Sequence, residues 1–420
     1  MNALVKKHVT LHQIVTQYMR LHRNLVFTII DSLEDVFNEK EYADKVVQKA
    51  LKKDARWGAR DRKFVAETFY EIVRWKRLYN EIAGTKDHYS RENLWKIFAV
   101  WAVLRGIDLP DWKYFEETPV RRIKGKFDEL QSNRAISQSI PDWMDELCLK
   151  ELGEKKWTAE LKAQNVPASA ILRVNTLRAT KKQLQDLLAK DDIITKPIKG
   201  YPSALELDER KNVFVTQAFK SGMFEMQDAS SQLVAEFLEI EPGMRVVDTC
   251  AGAGGKTLHI AALMENKGSI IATDIYGGKL IELKKRAKRA GAFNITTKKI
   301  ESTKTIKKLY NTADRVLIDA PCSGLGVLKR NPDSKWKLQP EFIDNIKATQ
   351  ADILERYTKI AKVGGKVVYA TCSILPSENQ EQVAKFLEKN DNFKLIKDKK
   401  VLASVSGYDG FYMALLERIS

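Results

Sequence analysis

The stretch Asp319-Ala320-Pro321-Cys322-Ser323-Gly324 directly follows the apolar run Arg315-Val316-Leu317-Ile318. A short run of this kind, rich in β-branched residues, is typical of a buried strand in a parallel sheet. The proline and the glycine then end the strand and turn the backbone. Ligands of open α/β sheets bind just beyond the carboxyl ends of the strands. The stretch therefore predicts a carboxylate and a thiol side by side at such a site.

A second thiol ends another predicted strand, Lys366-Val367-Val368-Tyr369-Ala370-Thr371-Cys372-Ser373. If this strand is the parallel neighbour of the first, Cys322 and Cys372 emerge at the same sheet edge, with the Asp319 carboxylate between them. A free cysteine is often a small buried hydrophobe, and that interpretation suits either cysteine alone. For the pair, at two strand ends, we favour a chemical function.

The chain from Gln227 onward alternates strands with helices, which predicts a doubly wound α/β sheet with right-handed crossovers. Strands are predicted at 244–248, 268–274 and 294–300, followed by those that end at Asp319 and near Cys372. The apolar stretch 411–416 suits a late antiparallel strand.

The preceding residues predict two further domains. Residues 1–130 are helical by periodicity, with helices at 24–37, 61–78 and 92–105, and residues 120–138 are predicted to be a linker. Residues 141–225 predict a small α/β module with strands at 171–175, 204–207 and 213–215. Such a module is a common platform for RNA. The catalytic sheet then occupies 226–420.

Composition limits the partners and the compartment. Lys and Arg number 71 against 55 Asp and Glu, a net charge of +16, which suggests nucleic acid, although basic surfaces also occur without a charged partner. The four cysteines lack C-x-x-C spacing, so we expect no disulfide framework, no metal and a reducing compartment. No apolar run reaches transmembrane length, and residues 1–23 lack a signal-peptide core. We predict a cytoplasmic monomer without membrane contact.

A glycine-rich turn, Thr249-Cys250-Ala251-Gly252-Ala253-Gly254-Gly255-Lys256, follows the first strand of the predicted sheet. Asp274 ends the second strand, where a carboxylate accepts hydrogen bonds from ribose hydroxyls. These features fit either a dinucleotide or S-adenosylmethionine. The turn lacks the G-x-G-x-x-G order, and a P-loop would need glycine at position 250.

The two thiols favour S-adenosylmethionine. Hydride transfer has no obvious need for them, whereas methyl transfer to carbon 5 of a pyrimidine does. A thiolate that adds to carbon 6 makes carbon 5 enamine-like, so that carbon 5 can attack a methyl sulfonium. A base must then remove the proton at carbon 5, and hydrogen bonding at ring nitrogen 3, which Asp319 could provide, eases the addition.

These motifs resemble those of the Sun (RsmB-like) and Nop-type RNA cytosine-5 methyltransferases. The resemblance rests on the paired motifs at 319–324 and 370–373, and the segments 227–231, 330–336 and 409–412 are similar to further motifs of that family. Residues 24–78 resemble the NusB-like helical domain of bacterial Sun-type rRNA enzymes. The resemblance spans nearly the whole chain and implies a Rossmann-like class I methyltransferase fold that acts on RNA, most simply rRNA.

The resemblance also implies residue roles. Cys372 would be the nucleophile, Cys322 would assist proton removal or release, and Asp319 would contact the cytosine. Glu301 takes the place of an aspartate near the adenine, and the turn lacks the proline usual in the family. The expected cofactor residues are Cys250, Ala251, Gly252, Ala253, Gly254, Gly255, Lys256, Asp274, Glu301 and Asp319.

Basic and aromatic residues near the predicted site are candidates for RNA contact. Lys329 and Arg330 flank the strand that ends at Asp319, and we expect them to contact RNA, with Trp336 as a candidate wall of the base site. For the basic helix residues 284–289 we favour a solvated face.

Two alternatives remain at this point. Pro321-Cys322 alone would suggest the DNA cytosine methyltransferase mechanism, in which that thiol attacks; the second thiol argues for the RNA type. A non-catalytic RNA-binding or ribosome-assembly factor on the same fold is the other alternative, since a fold does not prove activity. The presence of Asp319, Cys322, Cys372 and Lys256 together disfavours it.

Overall fold

A computed structural model describes residues 20–420 of the chain. Residues 1–19 lie outside the described residues. They include the start of the predicted helical domain and most of the segment 1–23, for which we expect no signal peptide. The chain divides into two units. One comprises the chain up to Leu147 together with Asn331–Leu338, and the other comprises Cys148–Arg330 and Gln339–Ser420. The predicted boundaries of three domains stay a prediction.

The first unit is helical. Its core is built around the apolar helix α5, whose Trp95, Phe98 and Trp101 are buried. The serine before this helix, Ser90, caps it by accepting a hydrogen bond from Asn93 N. The long helices are α1 (Arg23–Phe37), α2 (Ala43–Ala50), α3 (Ala59–Arg74), α4 (Lys76–Ala83), α5 (Arg91–Leu104) and α6 (Val120–Leu130).

Two expectations for this unit were wrong. The single helix expected at 61–78 is two helices, because the backbone leaves the helical conformation at Trp75. The linker expected at 120–138 is α6 followed by the one-turn helix Arg134–Ser137. Ile123 is the buried residue of α6, and the half-buried Phe127 and Leu130 pack against the same core, so three apolar residues anchor a helix whose composition is largely polar.

The boundary between the two units falls within α7 (Asp142–Leu152), between Leu147 and Cys148. The next helix, α8 (Glu154–Gln164), belongs to the second unit. A four-stranded antiparallel sheet of order β2-β3-β1-β4 follows, packed against α9 (Lys181–Ala189). Its strands are β1 (Ile171–Val174), β2 (Thr195–Pro197), β3 (Ala204–Leu207) and β4 (Phe224–Met226). The strand expected at 213–215 is instead a short 3₁₀ helix, capped by the Asn212 side chain.

The main sheet of this unit has seven strands in the order β10-β11-β9-β8-β5-β6-β7. The five strands β5 to β9 run parallel, and β10 and β11 are antiparallel, which confirms the doubly wound sheet and the late antiparallel strand. The strands are β5 (Arg245–Asp248), β6 (Ser269–Asp274), β7 (Ile295–Lys299), β8 (Ala313–Asp319), β9 (Ala361–Thr371), β10 (Phe393–Val401) and β11 (Phe411–Arg418).

Helices flank this sheet and leave its carboxyl edge to the loops. They are α10 (Ala229–Phe237), α11 (Gly255–Leu263), α12 (Gly277–Ala290), α13 (Pro340–Tyr357) and α14 (Gln380–Leu387). Three neighbouring strands end in carboxylates, at Asp248, Asp274 and Asp319. Asp319 pairs with Ala370 in the parallel register of β8 and β9, so the two cysteine motifs emerge together as the sequence predicts.

Two features are absent from residues 20–420. No helix there has the length and apolar character needed to cross a membrane. Nor does that part of the chain hold a group of three or more His, Cys, Asp or Glu side chains placed to bind a metal ion.

Candidate active site

The two thiols meet where β8 and β9 end. The Sγ atoms of Cys322 and Cys372 lie 3.2 Å apart, and both residues are half-buried. Backbone bonds hold the two turns together: Ala320 N donates to Ala370 O (2.8 Å), and Gly326 N donates to Cys372 O (2.9 Å). The hydrogen bond with Cys372, then burial and nearby negative charge, raise the pKa of Cys322. Cys322 is therefore held in its thiol form.

Lys256 connects the glycine-rich loop with this thiol pair. Its Nζ lies 2.6 Å from Asp319 Oδ2 and 5.3 Å from the ring centroid of Phe411. Burial lowers the pKa of Lys256, but the charge of Asp319, their hydrogen bond and the charge of Cys372 outweigh burial and raise it. A charged ammonium group is thus paired with the Asp319 carboxylate at the end of β8.

The glycine-rich loop lies beside the end of β6. Asp274 fixes it, because Oδ2 accepts from Gly252 N (2.8 Å) and Oδ1 accepts from Tyr276 N (2.8 Å). Gly254 has φ +87°, and a Cβ there would lie 2.5 Å from Leu283 Cγ, so the turn requires glycine. A Cβ at Gly252 would meet no heavy atom of the described residues within 4 Å. The loop therefore packs on α12 on one side and leaves open space on the other.

The small antiparallel sheet also fixes this loop. The buried Arg173 of β1 donates to Gly255 O and to Gln227 Oε1. Arg286 of α12 donates to Ala253 O (2.8 Å) and to the buried carboxylate of Glu225 in β4 (2.9 Å). Two carbonyls of the loop are thus held by guanidinium groups, which stiffens the backbone on which a ligand would lie.

These contacts correct the expectation of a solvated face on the basic helix. Arg286 and Arg289 both form ion pairs with Glu225, at 2.9 and 2.5 Å. The lysines of the same helix, Lys284, Lys285 and Lys288, are exposed as expected. Glu225 lies more than 60 residues before its partners, and no local pattern in the sequence pairs them.

Asp248 is a buried carboxylate at the site that the sequence pattern did not single out. Its Oδ2 accepts from Thr257 Oγ1 (2.7 Å), and burial, with the charge of Asp319, raises its pKa to about 7 against that hydrogen bond. Asp248 ends β5, as Asp274 and Asp319 end their own strands. This shared position is the sequence signal from which Asp248 could have been predicted as a site residue. Cys250 follows it in the loop, and burial raises the pKa of that thiol.

Glu301 follows β7, beside the end of β6. Its neighbour Ile300 donates a backbone hydrogen bond to Asp274 O (2.9 Å), and the Glu301 side chain is exposed. Its role near an adenine stays a prediction.

Lys329 and Arg330 have protein partners. Arg330 donates to Asp228 Oδ2 (2.6 Å) and to Asp409 Oδ2 (2.7 Å), two buried carboxylates. Lys329 is 6% exposed and donates to Gly407 O. Burial lowers the pKa of Lys329. An RNA contact at either residue stays a prediction. In the structure both side chains bind groups of the protein itself.

Trp336 belongs to the segment that joins the helical unit. Its Nε1 donates to Val73 O (2.7 Å), and the Lys76 ammonium lies 5.1 Å from its ring centroid. The adjacent Lys335 is buried and donates to Arg74 O and Ser139 O, each at 2.8 Å. The segment therefore anchors into the helical core, and the base-wall role of Trp336 stays a prediction.

Comparison with known proteins covers both parts of the second unit. Residues 235–416 match the family model described as 16S rRNA methyltransferase RsmB/F, and residues 140–214 match one described as an RsmF/B-like ferredoxin-like domain. The first range contains most of the seven-stranded sheet and its site. The second contains most of the small antiparallel module and identifies the predicted small α/β module as a ferredoxin-like domain.

Relatives match over most of the chain. The probable ribosomal RNA small subunit methyltransferase B of Synechocystis sp. is 30% identical over 406 residues, covering 89% of this chain and 90% of that protein. The ribosomal RNA small subunit methyltransferase B of Vibrio cholerae is 33% identical over 299 residues, 69% of this chain and 68% of that protein. The crystal structure of PH0851 has a TM-score of 0.81 at 25% identity, covering 96% of this chain and 100% of that one.

Proposed function

The chain belongs to the RsmB/F family of 16S rRNA methyltransferases, and from this premise we propose that it methylates carbon 5 of a cytosine in ribosomal RNA. The methyl donor is S-adenosylmethionine, and the reaction runs through a covalent bond between Cys372 and the base. The observation that carries the proposal is the pair of thiols, 3.2 Å apart, at the ends of two neighbouring parallel strands.

The cofactor site is the glycine-rich loop. The open side of Gly252 supports it, since an adenosyl group can approach the backbone there, and the carboxylates Asp274 and Glu301 would accept hydrogen bonds from its hydroxyl and amino groups. When bound, S-adenosylmethionine supplies an electrophilic methyl sulfonium. The chain itself orients the loop through the contacts of Arg173 and Arg286 described above.

Cys372 attacks as a thiolate, because the thiol is a poor nucleophile. Its sulfur bonds to carbon 6 of the cytosine, which pushes electron density to carbon 5. A nearby cation stabilises an anionic sulfur, and we assign that task to the Lys256 ammonium. Asp319 contacts the edge of the base, where a carboxylate accepts from the 4-amino group and from a protonated nitrogen 3.

Release follows methyl transfer to carbon 5. The proton on carbon 5 passes to a base, the double bond between carbons 5 and 6 reforms, and the bond from carbon 6 to sulfur breaks, so that Cys372 leaves as a thiolate. We assign Cys322 to the release of the sulfur, because its thiol is hydrogen-bonded to Cys372 from the neighbouring strand end and can donate to the departing thiolate, while the carbon 5 proton passes to solvent water.

The target cytosine is unpaired or flipped out of its stack, because a thiolate must reach carbon 6 from the face of the ring. The partner is RNA. The chain binds it in the cytoplasm and acts as a monomer. A non-catalytic assembly factor on this fold is the alternative, and the thiol pair is what argues against it.

The test uses the full chain, methyl-labelled S-adenosylmethionine, and either free 16S rRNA or small-subunit particles. After digestion to nucleosides, label in 5-methylcytidine is the expected result. Label confined to another nucleoside would contradict the cytosine assignment, and S-adenosylmethionine binding without any label in RNA would support the assembly factor. Cys372→Ala should remove the label, whereas Cys148→Ala, which removes a buried thiol of α7, should keep it.

A further inference from the structure

We propose that Glu378 is a positioning residue that fixes the two thiols relative to each other by binding the serine that follows each cysteine. The proposal rests on the proposed function, since it assigns Glu378 a task in that reaction. Glu378 lies in the short 3₁₀ helix Pro376–Glu378 after β9, outside every motif assigned to the cofactor, the nucleophile or the base.

The Glu378 carboxylate is fully buried and accepts hydrogen bonds from both turns. Its Oε1 accepts from Ser323 Oγ and from Ser373 Oγ, each at 2.5 Å. Its Oε2 accepts from Ser323 N at 2.8 Å. The two serine hydroxyls lie 3.2 Å from each other, and each serine directly follows one of the two cysteines, which are 50 residues apart in the chain.

A third element completes the site around this carboxylate. Gln350 of α13 donates through Nε2 to Glu378 Oε2 and to Pro321 O, both at 3.0 Å. Asn379 holds the second turn, because its Oδ1 accepts from Thr371 Oγ1 (2.5 Å) and its Nδ2 donates to Ser373 O (3.0 Å). The residues before and after each cysteine are thus bonded to Glu378, to Asn379 or to Gln350.

A carboxylate suits this position for a physical reason. It is acceptor-only, and four donors converge on it, whereas two serine hydroxyls alone could form only one hydrogen bond between them. An unpaired buried carboxylate is strongly unfavourable, and the four hydrogen bonds offset that cost only while both turns stay in place. Movement of either cysteine turn would leave the charge unsatisfied, so the carboxylate resists changes in the separation of the sulfurs.

The charge of Glu378 also acts on the thiols. After the hydrogen bond with Cys372, burial and the charge of Cys372, it is a further cause that raises the pKa of Cys322. The carboxylate therefore disfavours a thiolate at Cys322. The same group that fixes the two turns thus also acts on the charge of one of the thiols.

The experiment compares Glu378→Gln with Glu381→Gln, an exposed glutamate of α14. Glu378→Gln should keep the dissociation constant of S-adenosylmethionine within about twofold, because the cofactor loop lies elsewhere, while kcat falls on the order of 10²-fold from misplaced reacting groups. The second readout does not depend on activity: mild oxidation with diamide, followed by mapping of the Cys322–Cys372 disulfide, reports whether the thiols still meet. Disulfide formation should slow in Glu378→Gln and stay unchanged in Glu381→Gln.

Ser373→Ala keeps the proposal testable if Glu378→Gln does not fold. It removes one donor to Glu378 and leaves the carboxylate, so kcat and disulfide formation should both fall by a smaller factor. A kcat and a disulfide rate within twofold of wild type in the folded variants would overturn the proposal. The proposal would also be overturned if kcat falls only in proportion to losses of cofactor affinity and of thermal stability. If wild type methylates no cytosine, the proposed function fails, and the disulfide rates still decide whether Glu378 sets the thiol separation.

Discussion

The Nζ of Lys256 lies 2.6 Å from Oδ2 of Asp319, and this ion pair joins the loop after β5 to the end of β8. The charge of Cys372 is a further cause that raises the pKa of this ammonium group. One side chain of the cofactor loop therefore binds Asp319, the residue assigned to contact the cytosine, and is the cation that we assign to the nucleophile Cys372.

Lys256→Met should lower the rate of methyl transfer on the order of 10²-fold, because the thiolate of Cys372 loses its opposing charge. Lys256→Arg keeps the charge in a larger head group and should retain part of the rate. Single-turnover kinetics with saturating cofactor measures the step, and titration with S-adenosylmethionine separates a binding defect. Lys279→Met, an exposed lysine of α12, serves as the control. A Lys256→Met enzyme with the wild-type rate would contradict the assignment.

The two cysteines should give opposite phenotypes. Cys372→Ala should abolish methylation and form no covalent RNA adduct, yet still bind S-adenosylmethionine. Cys322→Ala should let Cys372 attack and carbon 5 accept the methyl group, but slow the release, so that a protein–RNA adduct survives denaturing electrophoresis.

The reverse pattern, an adduct in Cys372→Ala and none in Cys322→Ala, would assign the attack to Cys322 as in the DNA-type mechanism. Methylation that is unchanged in both variants would make the cysteines structural and refute the mechanism.

Arg330→Met should destabilise the fold, because it leaves the buried carboxylates of Asp228 and Asp409 without their cation. We expect a loss of about 3 kcal/mol in the free energy of unfolding, near the lower end for breaking a buried ion pair, since the Arg330 side chain is 31% exposed. Urea unfolding measures it. The double variant Arg330→Met/Asp409→Asn should recover part of the loss, since it removes one of the stranded charges. Weaker RNA binding with unchanged stability would instead support the RNA contact predicted from the sequence.

Stability should fall as the pH rises through the range in which Asp248 is protonated only in the folded state. Burial, with the charge of Asp319, raises its pKa from 3.8 to about 7. Between these values the folded state holds a proton that the unfolded state has lost, so the contribution of Asp248 falls by about 1.4 kcal/mol per pH unit. The stabilising contribution of Asp248 is fully present below the lower pKa, 3.8, and is lost above the higher pKa, about 7.

Urea unfolding at about pH 5 and pH 7 tests this, with Asp248→Asn against the exposed control Asp191→Asn. Asp248→Asn should reduce the pH dependence, because an amide does not titrate and still accepts from Thr257. An unchanged slope in Asp248→Asn would show that other groups cause it.

The sequence by itself determined the sheet and the position of the thiols. The strand ends at Asp319 and Thr371 follow from short apolar runs closed by proline, glycine or polar residues, signals carried by adjacent residues. The parallel pairing of β8 and β9 follows from alternation of strands with helices, and the register confirms it. Local patterns failed where a few contacts outweigh composition, as in the helix at 120–130, which Ile123, Phe127 and Leu130 anchor to the core.

Only the tertiary structure decided which side chains are partners. Arg286 belongs to a helix whose charge pattern indicates a solvated face, yet it bonds to a carboxylate 61 residues earlier and to the cofactor loop. Glu378 carries no signal of its own, and it becomes the link between two turns because the fold brings Ser323 and Ser373 to its carboxylate. Periodicity records which face of an element is apolar. It does not record which buried charge meets which donor, since that depends on the packing of elements far apart in the chain.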